Sequence, residues 1–176
     1  VQPTVEGKKY ALAGGNWTLQ RASEVAATGE NISKADYDAS NWIVATVPGT
    51  VLTSYKNIGA VPNPNYADNI FQISESFFNS NFWYRNEFDL PADFKQERLF
   101  LNLDGINWKA NIYLNGNKIG RMEGAFIRGM YDITDIAVEG KNVLAIEIEK
   151  NAHIGAIKEK YEVNTDFNGG ILGADN

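Results

Sequence analysis

Apolar residues alternate with polar ones along residues 99–149, and this alternation constrains the fold more than any other feature of the chain. Three runs place an apolar residue at every second position: Leu99, Leu101 and Leu103; Trp108, Ala110, Ile112 and Leu114; and Leu144, Ile146 and Ile148. A period of two is typical of half-buried antiparallel strands. The tripeptide Asn115-Gly116-Asn117 supplies residues that tolerate a positive φ, so it predicts a tight hairpin between two of these strands.

Composition excludes several functional classes. The 176 residues suffice for one domain with its own core. The net charge is −6 with both signs interspersed, so the chain lacks the basic patch that nucleic-acid binding requires. Cysteine is absent, which rules out disulfides and zinc–cysteine sites, and no apolar run is long enough to cross a bilayer. The four Trp, eight Tyr and nine Phe suit either a sandwich core or a sugar-stacking surface.

The rest of the chain predicts further short strands and one long loop. Strands are expected at 16–20, 42–47, 82–90 and 126–130, a helical turn at 50–56, and a loop or short helix at 22–40. Residues 57–81 contain Pro62, Pro64 and several Asn, so we expect a long ordered loop there. About eight short strands separated by turn signals predict an all-β fold, an antiparallel β-sandwich.

The two ends of the chain predict a segment of a longer protein. Residues 1–12 lack an initiator Met and a signal-like apolar core, which is typical of a mature chain whose targeting segment has been removed. After Lys150 the alternation stops and the sequence becomes rich in Gly and Asn. We therefore expect a sandwich domain over residues 1–150 and a C-terminal extension over 151–176 that leads toward a following domain.

Four blocks of sequence resemble, in the right order, the sugar-binding sandwich domain of glycoside hydrolase family 2. VPGTVLTSYKNIGAVPNPNYADN (47–69) is similar to the loop region after the second strand in the β-mannosidase and exo-β-glucosaminidase branch. FWYRNEFDLP (82–91) is similar to the family's Trp-Tyr-Arg strand with its closing Leu-Pro. LNLDGINWKANIYLNGNKIGRMEGAF (101–126) and YDITDIAVEGKNVLAIEIE (131–149) resemble its Asp-Gly turn, Leu-Asn-Gly hairpin, Asp-Ile-Thr motif and final strand.

The resemblance implies a galactose-binding-like jelly roll within a multidomain, exo-acting, retaining β-glycosidase. In that family two catalytic glutamates lie on a separate barrel, so this segment is expected to be inactive alone and to pack on the catalytic and immunoglobulin-like domains of the same chain. A retaining glycosidase needs two carboxyl groups about 5 Å apart, and no acidic pair here has a spacing that enforces this. The resemblance also implies carbohydrate as the ligand, no cofactor, and a secreted or periplasmic location. No clustered acidic loop requires a structural calcium ion.

The Asn-rich loop supplies the candidate sugar-binding residues. Family members carry an Asn or Asp at the position of Asn63 that reaches into the active site of the neighbouring barrel, and a side-chain amide can donate to and accept from sugar hydroxyls. The alternative is that Asn63 caps a turn between two prolines. Asn65, Asp68 and Asn69 lie on the same loop and are further substrate-binding candidates. Neither a catalytic residue nor a metal ligand is expected in this segment.

Other conspicuous residues have structural interpretations. A buried Arg85 would need a carboxylate partner, and Asp104 is a candidate for it, although a turn-capping role is favoured for Asp104. His153 is the single histidine and is expected at the surface. Core packing is favoured over sugar stacking for all four tryptophans, Trp17, Trp42, Trp83 and Trp108.

Two alternative functions stay open. A free-standing carbohydrate-binding module or lectin would bind glycans through a rim of exposed aromatics and amides. A purely structural domain would instead dock on a catalytic partner through an apolar patch on one sandwich face. Measurable glycan affinity of the isolated chain separates the first from the second.

Overall fold

The computed structural model describes residues 5–6, 9–94 and 98–150. The strands are β1 Val5–Glu6, β2 Lys9–Tyr10, β3 Trp17–Arg21, β4 Ile43–Val44, β5 Phe82–Leu90, β6 Phe100–Leu103, β7 Lys109–Leu114, β8 Asn117–Glu123, β9 Gly129–Asp132 and β10 Gly140–Ile148. The α-helices are α1 Gly29–Ile32, α2 Val51–Asn57 and α3 Glu75–Phe78, and 3₁₀ turns cover Ala22–Glu24, Asn69–Gln72 and Ala92–Phe94. The described pairings between strands are all antiparallel, as the alternation predicts.

Strand pairing produces two principal layers. Six strands pair in the order β4-β3-β5-β10-β7-β8, and β6 pairs with β9 in a second layer. The predicted hairpin joins β7 to β8, whose ends pair at Leu114 and Asn117. Its two turn residues, Asn115 at φ 49° and Gly116 at φ 83°, adopt the left-handed conformation that a two-residue hairpin turn requires. The prediction of a hairpin is therefore confirmed.

Apolar side chains from the two layers meet in one core, which makes the fold a sandwich. The six-stranded sheet contributes Leu19, Phe82, Tyr84, Ile112, Leu144 and Ile146, and the facing layer contributes Leu101, Ile133 and Ala137. The layers approach closely where Gly120 on β8 lies against the ring of Tyr131. A Cβ atom at Gly120 would lie 2.1 Å from a ring carbon, so a larger residue does not fit there.

The opposite face of the six-stranded sheet is covered as well. Residues 22–42 pass over it, and Gly29 permits the close approach because a Cβ there would lie 2.4 Å from the Tyr113 ring. As a result residues 143–146 of β10 are all buried, so half-burial is the wrong interpretation for this central strand. The second apolar cluster contains Ile32, Trp42, Trp83, Tyr113 and Ala145.

Arg85 fastens this covering segment to the sheet. Its side chain is 5% exposed. Its guanidinium donates to the backbone carbonyls of Ile32 at 2.9 Å and Lys34 at 3.0 Å, and it pairs with Glu87 at 2.7 Å. Glu87 lies two residues along the same strand and therefore on the same face. One buried cation thus holds the covering segment at the end of α1 and just after it.

The structure excludes one candidate pairing and contradicts one prediction. Asp104, the candidate partner of Arg85 for which the sequence favours turn capping, does not pair with Arg85; its side chain is almost fully exposed and its Oδ1 lies 3.6 Å from Arg128 Nε. Trp108 is 36% exposed and packs on the side chain of Lys109, whose ammonium lies 4.8 Å from the ring centroid. Because β7 begins at Lys109, Trp108 belongs to the preceding loop and not to the core face of the strand. The other three tryptophans are buried as predicted: Trp17, Trp42 and Trp83.

Several element boundaries differ from the predictions. Only Ile43–Val44 of the expected strand 42–47 is paired, and the strand expected at 126–130 begins at Gly129. The helical turn expected at 50–56 is confirmed as α2, whereas the expected loop 57–81 also contains α3 and a 3₁₀ turn. The predicted extension 151–176, with His153, lies outside the described residues.

The Asp-Ile-Thr motif ends β9 with a compact polar turn. Asp132 Oδ1 accepts hydrogen bonds from the Thr134 hydroxyl at 2.5 Å and the Thr134 backbone N–H at 3.1 Å, and Arg98 lies 2.7 Å from Oδ2. Thr134 Oγ1 in turn accepts the backbone N–H of Leu99 at 2.9 Å. The Thr134 hydroxyl, followed by Arg98, lowers the pKa of Asp132 to about 2.

We expect Arg85→Ala to lower the free energy of unfolding by roughly 2–4 kcal/mol, because it leaves the Ile32 carbonyl buried without a donor and also removes the donor to the part-buried Lys34 carbonyl. Glu87→Gln is the matched control. It keeps both carbonyl bonds, and because Glu87 is 36% exposed it should cost less than about 1 kcal/mol. Urea denaturation of both variants measures the difference. Equal losses would show that the carbonyl bonds do not matter.

We expect Thr134→Val to raise the pKa of Asp132 toward its ordinary value of 3.8, while Thr134→Ser keeps the pKa low. A folded-state pKa below the unfolded one means that Asp132 stabilises the fold above pH 3.8 and that this contribution is lost as the pH falls toward about 2. An NMR titration of the carboxyl carbon measures the shift. An unchanged pKa in Thr134→Val would contradict this account of the turn.

Candidate functional site

Several loops emerge at one end of the six-stranded sheet, called here the loop end. The strand register places Phe82 opposite both Arg21 and Ile148, and Lys109 opposite Glu123. Ile148 also pairs with Ala110, so these residues all lie at the same end. The loop that enters β5, the loop that enters β7, the loop that leaves β8 and the chain that leaves β10 therefore share the loop end.

Two capped helices hold the long loop that enters β5. At its start, the Thr50 hydroxyl accepts the backbone N–H of Thr53 at 3.0 Å and caps α2. At its end, the Ser74 hydroxyl accepts the N–H of Phe77 at 3.3 Å and caps α3. Side-chain oxygens at these positions satisfy donors that a helix leaves unpaired at its first turn. Both ends of the loop are thereby fixed by local hydrogen bonds.

An aromatic cluster anchors the loop to the core. The Tyr55 ring meets the rings of Phe77, Phe78 and Phe82 edge-on, with centroids 5.1, 5.5 and 6.3 Å away. Phe78 is 1% exposed and Phe82 is fully buried, so the cluster is continuous with the sandwich core. Edge-to-face contacts of this kind add to the burial energy of the rings. The loop therefore extends from a rigid base.

The structure brings the four predicted site residues together in one turn of the loop. Asn63 Oδ1 accepts the backbone N–H of Asn65 at 3.2 Å, and the Asn63 carbonyl accepts from Asn69 Nδ2 at 3.0 Å. Asp68 lies between them in sequence and is exposed, as are Asn63 and Asn65, while Asn69 is half-buried. The turn-capping interpretation of Asn63 is thus realised in the structure. Its sugar-binding role stays a prediction, as do those of the other three residues.

Sequence reasoning missed two aromatic residues on this loop. Tyr66 is 70% exposed and Phe71 is 61% exposed, and both belong to the hydrogen-bonded turn. The Tyr66 backbone N–H donates to the Asn63 carbonyl at 3.2 Å, and the Phe71 backbone N–H donates to the Asp68 backbone carbonyl at 3.1 Å. An aromatic residue in an Asn-rich and Pro-rich loop, outside any alternating pattern, is the signal that would have found them. Exposed rings beside amide groups suit contact with a sugar face.

The electrostatics of the described residues do not favour acid catalysis. A general acid that operates near neutral pH needs a raised carboxyl pKa. Hydrogen bonds and nearby cations instead give a lowered pKa to each described carboxyl group with a clear shift: Asp38, Glu87, Glu123, Asp132 and Glu149. A hydrogen bond from Lys109 lowers the pKa of Glu123, and a hydrogen bond from Arg121 lowers the pKa of Glu149.

The described residues, 5–6, 9–94 and 98–150, offer neither a metal site nor a membrane-spanning helix. Within these residues, no three His, Cys, Asp or Glu side chains are grouped so that they could hold a metal ion. The helices of the same residues are too short or too polar for any of them to span a membrane. The exposed loop that carries Asn63 remains the candidate site.

Comparison with known proteins identifies the family. The model of the family described as glycosyl hydrolase 2 galactose-binding domain-like matches residues 17–171. A mannosylglycoprotein endo-β-mannosidase of Lilium longiflorum is 32% identical over 161 residues, which are 86% of this chain and 16% of the lily protein. An exo-β-D-glucosaminidase of Streptomyces avermitilis is 31% identical over 148 residues, 82% of this chain and 16% of that enzyme.

Solved structures show the same fold. The exo-chitosanase CsxA of Amycolatopsis orientalis superimposes with a TM-score of 0.72 at 24% identity, over 79% of this chain and 16% of that one. The β-D-mannosidase of Dictyoglomus thermophilum gives a TM-score of 0.62 at 24% identity, over 86% of this chain and 16% of that one. The chain thus spans about 16% of the length of these relatives. The all-β sandwich, its register and the matched residues place this chain in the galactose-binding-like domain family of glycoside hydrolase family 2.

Proposed function

We propose that this chain is the non-catalytic sandwich domain of a family 2 exo-acting β-glycosidase, which packs on the catalytic barrel and lends its long loop to the sugar site. The observation that carries the proposal is the family match over residues 17–171 to glycosidases of which the chain covers 16%. The remaining 84% of such an enzyme has room for the barrel and the immunoglobulin-like domains. The partners are then those domains of the same chain and a terminal β-linked sugar.

The division of labour follows from the chemistry of retaining glycosidases. That reaction requires two carboxyl groups about 5 Å apart, one of them with a raised pKa. The described carboxyl groups with shifted pKa values are all shifted downward, so the proposal assigns the chemical steps to the barrel. The long loop contributes binding: the exposed Asn63 amide reaches sugar hydroxyls, and Tyr66 and Phe71 offer apolar ring faces.

The substrate class follows from the relatives. An endo-β-mannosidase and an exo-β-glucosaminidase are both more than 30% identical to the chain, which supports a β-mannosidase or exo-β-glucosaminidase type of enzyme. The exo-acting mode in the proposal follows the glucosaminidase, since the lily relative is an endo-acting enzyme. Residues of the barrel set the preference for one sugar epimer over another, because function depends on the site and not on the fold alone. A secreted or periplasmic location suits an enzyme that removes terminal sugars from extracellular glycans, and we include it in the proposal.

A free-standing carbohydrate-binding module is the second candidate, favoured by the exposed rings of Tyr66 and Phe71. It predicts measurable affinity of the 176-residue chain for glycans with terminal mannose or glucosamine. Isothermal titration against such glycans measures this affinity. Heat of binding to the isolated chain would favour the module, and a coding sequence that continues into a barrel with two glutamates would favour the enzyme domain.

In the full-length protein we expect Asn63→Ala to raise the activation barrier for glycoside hydrolysis by roughly 1–3 kcal/mol, because a buried sugar hydroxyl loses its amide partner. Steady-state kcat/KM with a nitrophenyl β-mannoside and β-glucosaminide measures the change. Asn117→Ala is the control, since Asn117 is equally an exposed Asn but pairs with Leu114 at the opposite end of the sheet.

Unchanged kcat/KM in Asn63→Ala would remove Asn63 from the sugar site. An equal loss in Asn117→Ala would show that the effect comes from general destabilisation and not from a contact with the sugar.

A further inference from the structure

The β7–β8 turn contains a chemically reactive dipeptide, Asn115-Gly116, that the proposed function does not use. An asparagine that precedes glycine is prone to deamidation, because glycine has no side chain to hinder its backbone nitrogen. In this reaction the Gly116 nitrogen forms a bond to Asn115 Cγ, the Cγ–Nδ2 bond breaks, and the hydrogen of the Gly116 nitrogen leaves with Nδ2 as ammonia. Water then opens the resulting succinimide at either carbonyl and leaves aspartate or isoaspartate.

Hydrogen bonds to other segments hold both polar atoms of the Asn115 side chain. Its Nδ2 donates to the Ile136 carbonyl at 3.0 Å and to Asn142 Oδ1 at 2.8 Å, and its Oδ1 accepts the backbone N–H of Val143 at 2.9 Å. Asn142 is fully buried, and its own Nδ2 donates to the Val138 carbonyl at 2.7 Å. The leaving group can therefore change its orientation only if the three bonds of the Asn115 amide break.

The attacking nitrogen is held as well. The Gly116 backbone N–H donates to Ser33 Oγ at 3.0 Å, and Ser33 is fully buried. The Ser33 hydroxyl donates in turn to the Glu30 carbonyl at 3.3 Å, which fixes it to α1. The Lys34 side chain also lies against Gly116, where an added Cβ would lie 3.4 Å from Cε. The Gly116 nitrogen can therefore react only when the turn separates from residues 30–34.

We propose that Asn115 is a latent deamidation site, which Ser33 keeps closed and which reacts when the β7–β8 turn opens locally. Both reacting groups are held by hydrogen bonds in the closed turn, and both residues are half-buried. Such a site reacts at the rate of the free dipeptide multiplied by the fraction of molecules in which the turn is open. The inference rests on described residues alone and does not depend on the proposed sugar site.

Deamidation makes the opening irreversible, because the product cannot rebuild the closed turn. A carboxylate at position 115 has no hydrogen to donate. It would face the Ile136 carbonyl and Asn142 Oδ1, which both accept hydrogen bonds from the native amide. Asn115→Asp, which imitates the product, should therefore unfold at a lower urea concentration than Asn117→Asp, which adds the same charge to an exposed residue of the same hairpin.

The rate of deamidation at Asn115 in the folded 176-residue chain tests the proposal. The chain is incubated at mildly alkaline pH, digested with trypsin and analysed by tandem mass spectrometry. Asn115 appears in the peptide of residues 110–118, whereas the other Asn-Gly pair of the sequence, Asn168-Gly169, appears in residues 161–176. A synthetic peptide of residues 110–118 is the reference. We expect Asn115 to react about 100-fold more slowly in the folded chain than in the peptide, because the hydrogen bonds of the turn must break first.

Ser33→Ala should speed deamidation of Asn115 by about 5–30-fold, because it removes the partner of the attacking nitrogen and so favours the open turn. Ser54→Ala is the matched control. Ser54 is also a fully buried serine, whose hydroxyl accepts the Thr46 backbone N–H at 3.0 Å and donates to the Thr50 carbonyl at 3.1 Å. These contacts do not involve the β7–β8 turn, so the rate at Asn115 should stay close to that of the unchanged chain. Tryptophan fluorescence verifies that both variants are folded.

Equal rates in the folded chain and the peptide would overturn the proposal, and this comparison needs no variant. An unchanged rate in folded Ser33→Ala would show that Ser33 does not keep the site closed. Equal acceleration in both serine variants would assign the reaction to global unfolding and would contradict local opening. Equal urea midpoints for Asn115→Asp and Asn117→Asp would show that the product fits the closed turn, against the proposal. Slow reaction in the folded chain that Ser33→Ala accelerates and Ser54→Ala does not is the predicted result.

Discussion

The pairing of β10 with both β5 and β7 is the constraint on which the rest of the structure depends. Its register runs from Gly140 opposite Leu90 to Ile148 opposite Phe82, while Ile148 also meets Ala110 on the other side. This register brings the starts of β5 and β7 and the end of β10 to the loop end. The loops that enter β5 and β7 are therefore positioned by the same central strand.

Burial on both faces makes that central strand rigid. The sandwich core covers one face, and residues 22–42 cover the other, where Arg85 holds them through two backbone carbonyls and Glu87. A sheet buried on both sides resists local opening, because each exposed backbone group would lose apolar cover and hydrogen bonds together. The long loop can therefore carry exposed amides and rings on a fixed base, which suits a domain that supplies binding groups to a neighbouring active site.

The sequence predicts the strands better than it predicts the segment that packs over the second face of the sheet. Alternation in 108–114 and 144–148 and the Asn115-Gly116 turn indicate the correct strands and hairpin, because pleat and turn conformation are local properties. Residues 22–42 have no periodic pattern, so their packing on the second face is invisible in the sequence. Two of the partners of Arg85 are backbone carbonyls. Because every residue has such a carbonyl, the residue types do not indicate which ones Arg85 contacts.

The candidate site is likewise only partly predictable from the sequence. The resemblance to family 2 indicates the loop and Asn63, and the structure adds Tyr66 and Phe71 because exposure is a property of the folded chain. Trp108 is the converse case: its phase matches the core positions of β7, but the strand begins one residue later. A single residue at a strand boundary thus decides between a core residue and a surface residue.

The most direct test of the account is hydrogen–deuterium exchange on the full-length protein with and without a tightly bound analogue of the terminal sugar. The account predicts that the analogue slows exchange of the backbone amides of residues 63–71 and leaves the β7–β8 turn at residues 115–117 unchanged. Slowed exchange confined to the barrel, with residues 63–71 unaffected by the analogue, would contradict the claim that this domain contributes to the sugar site.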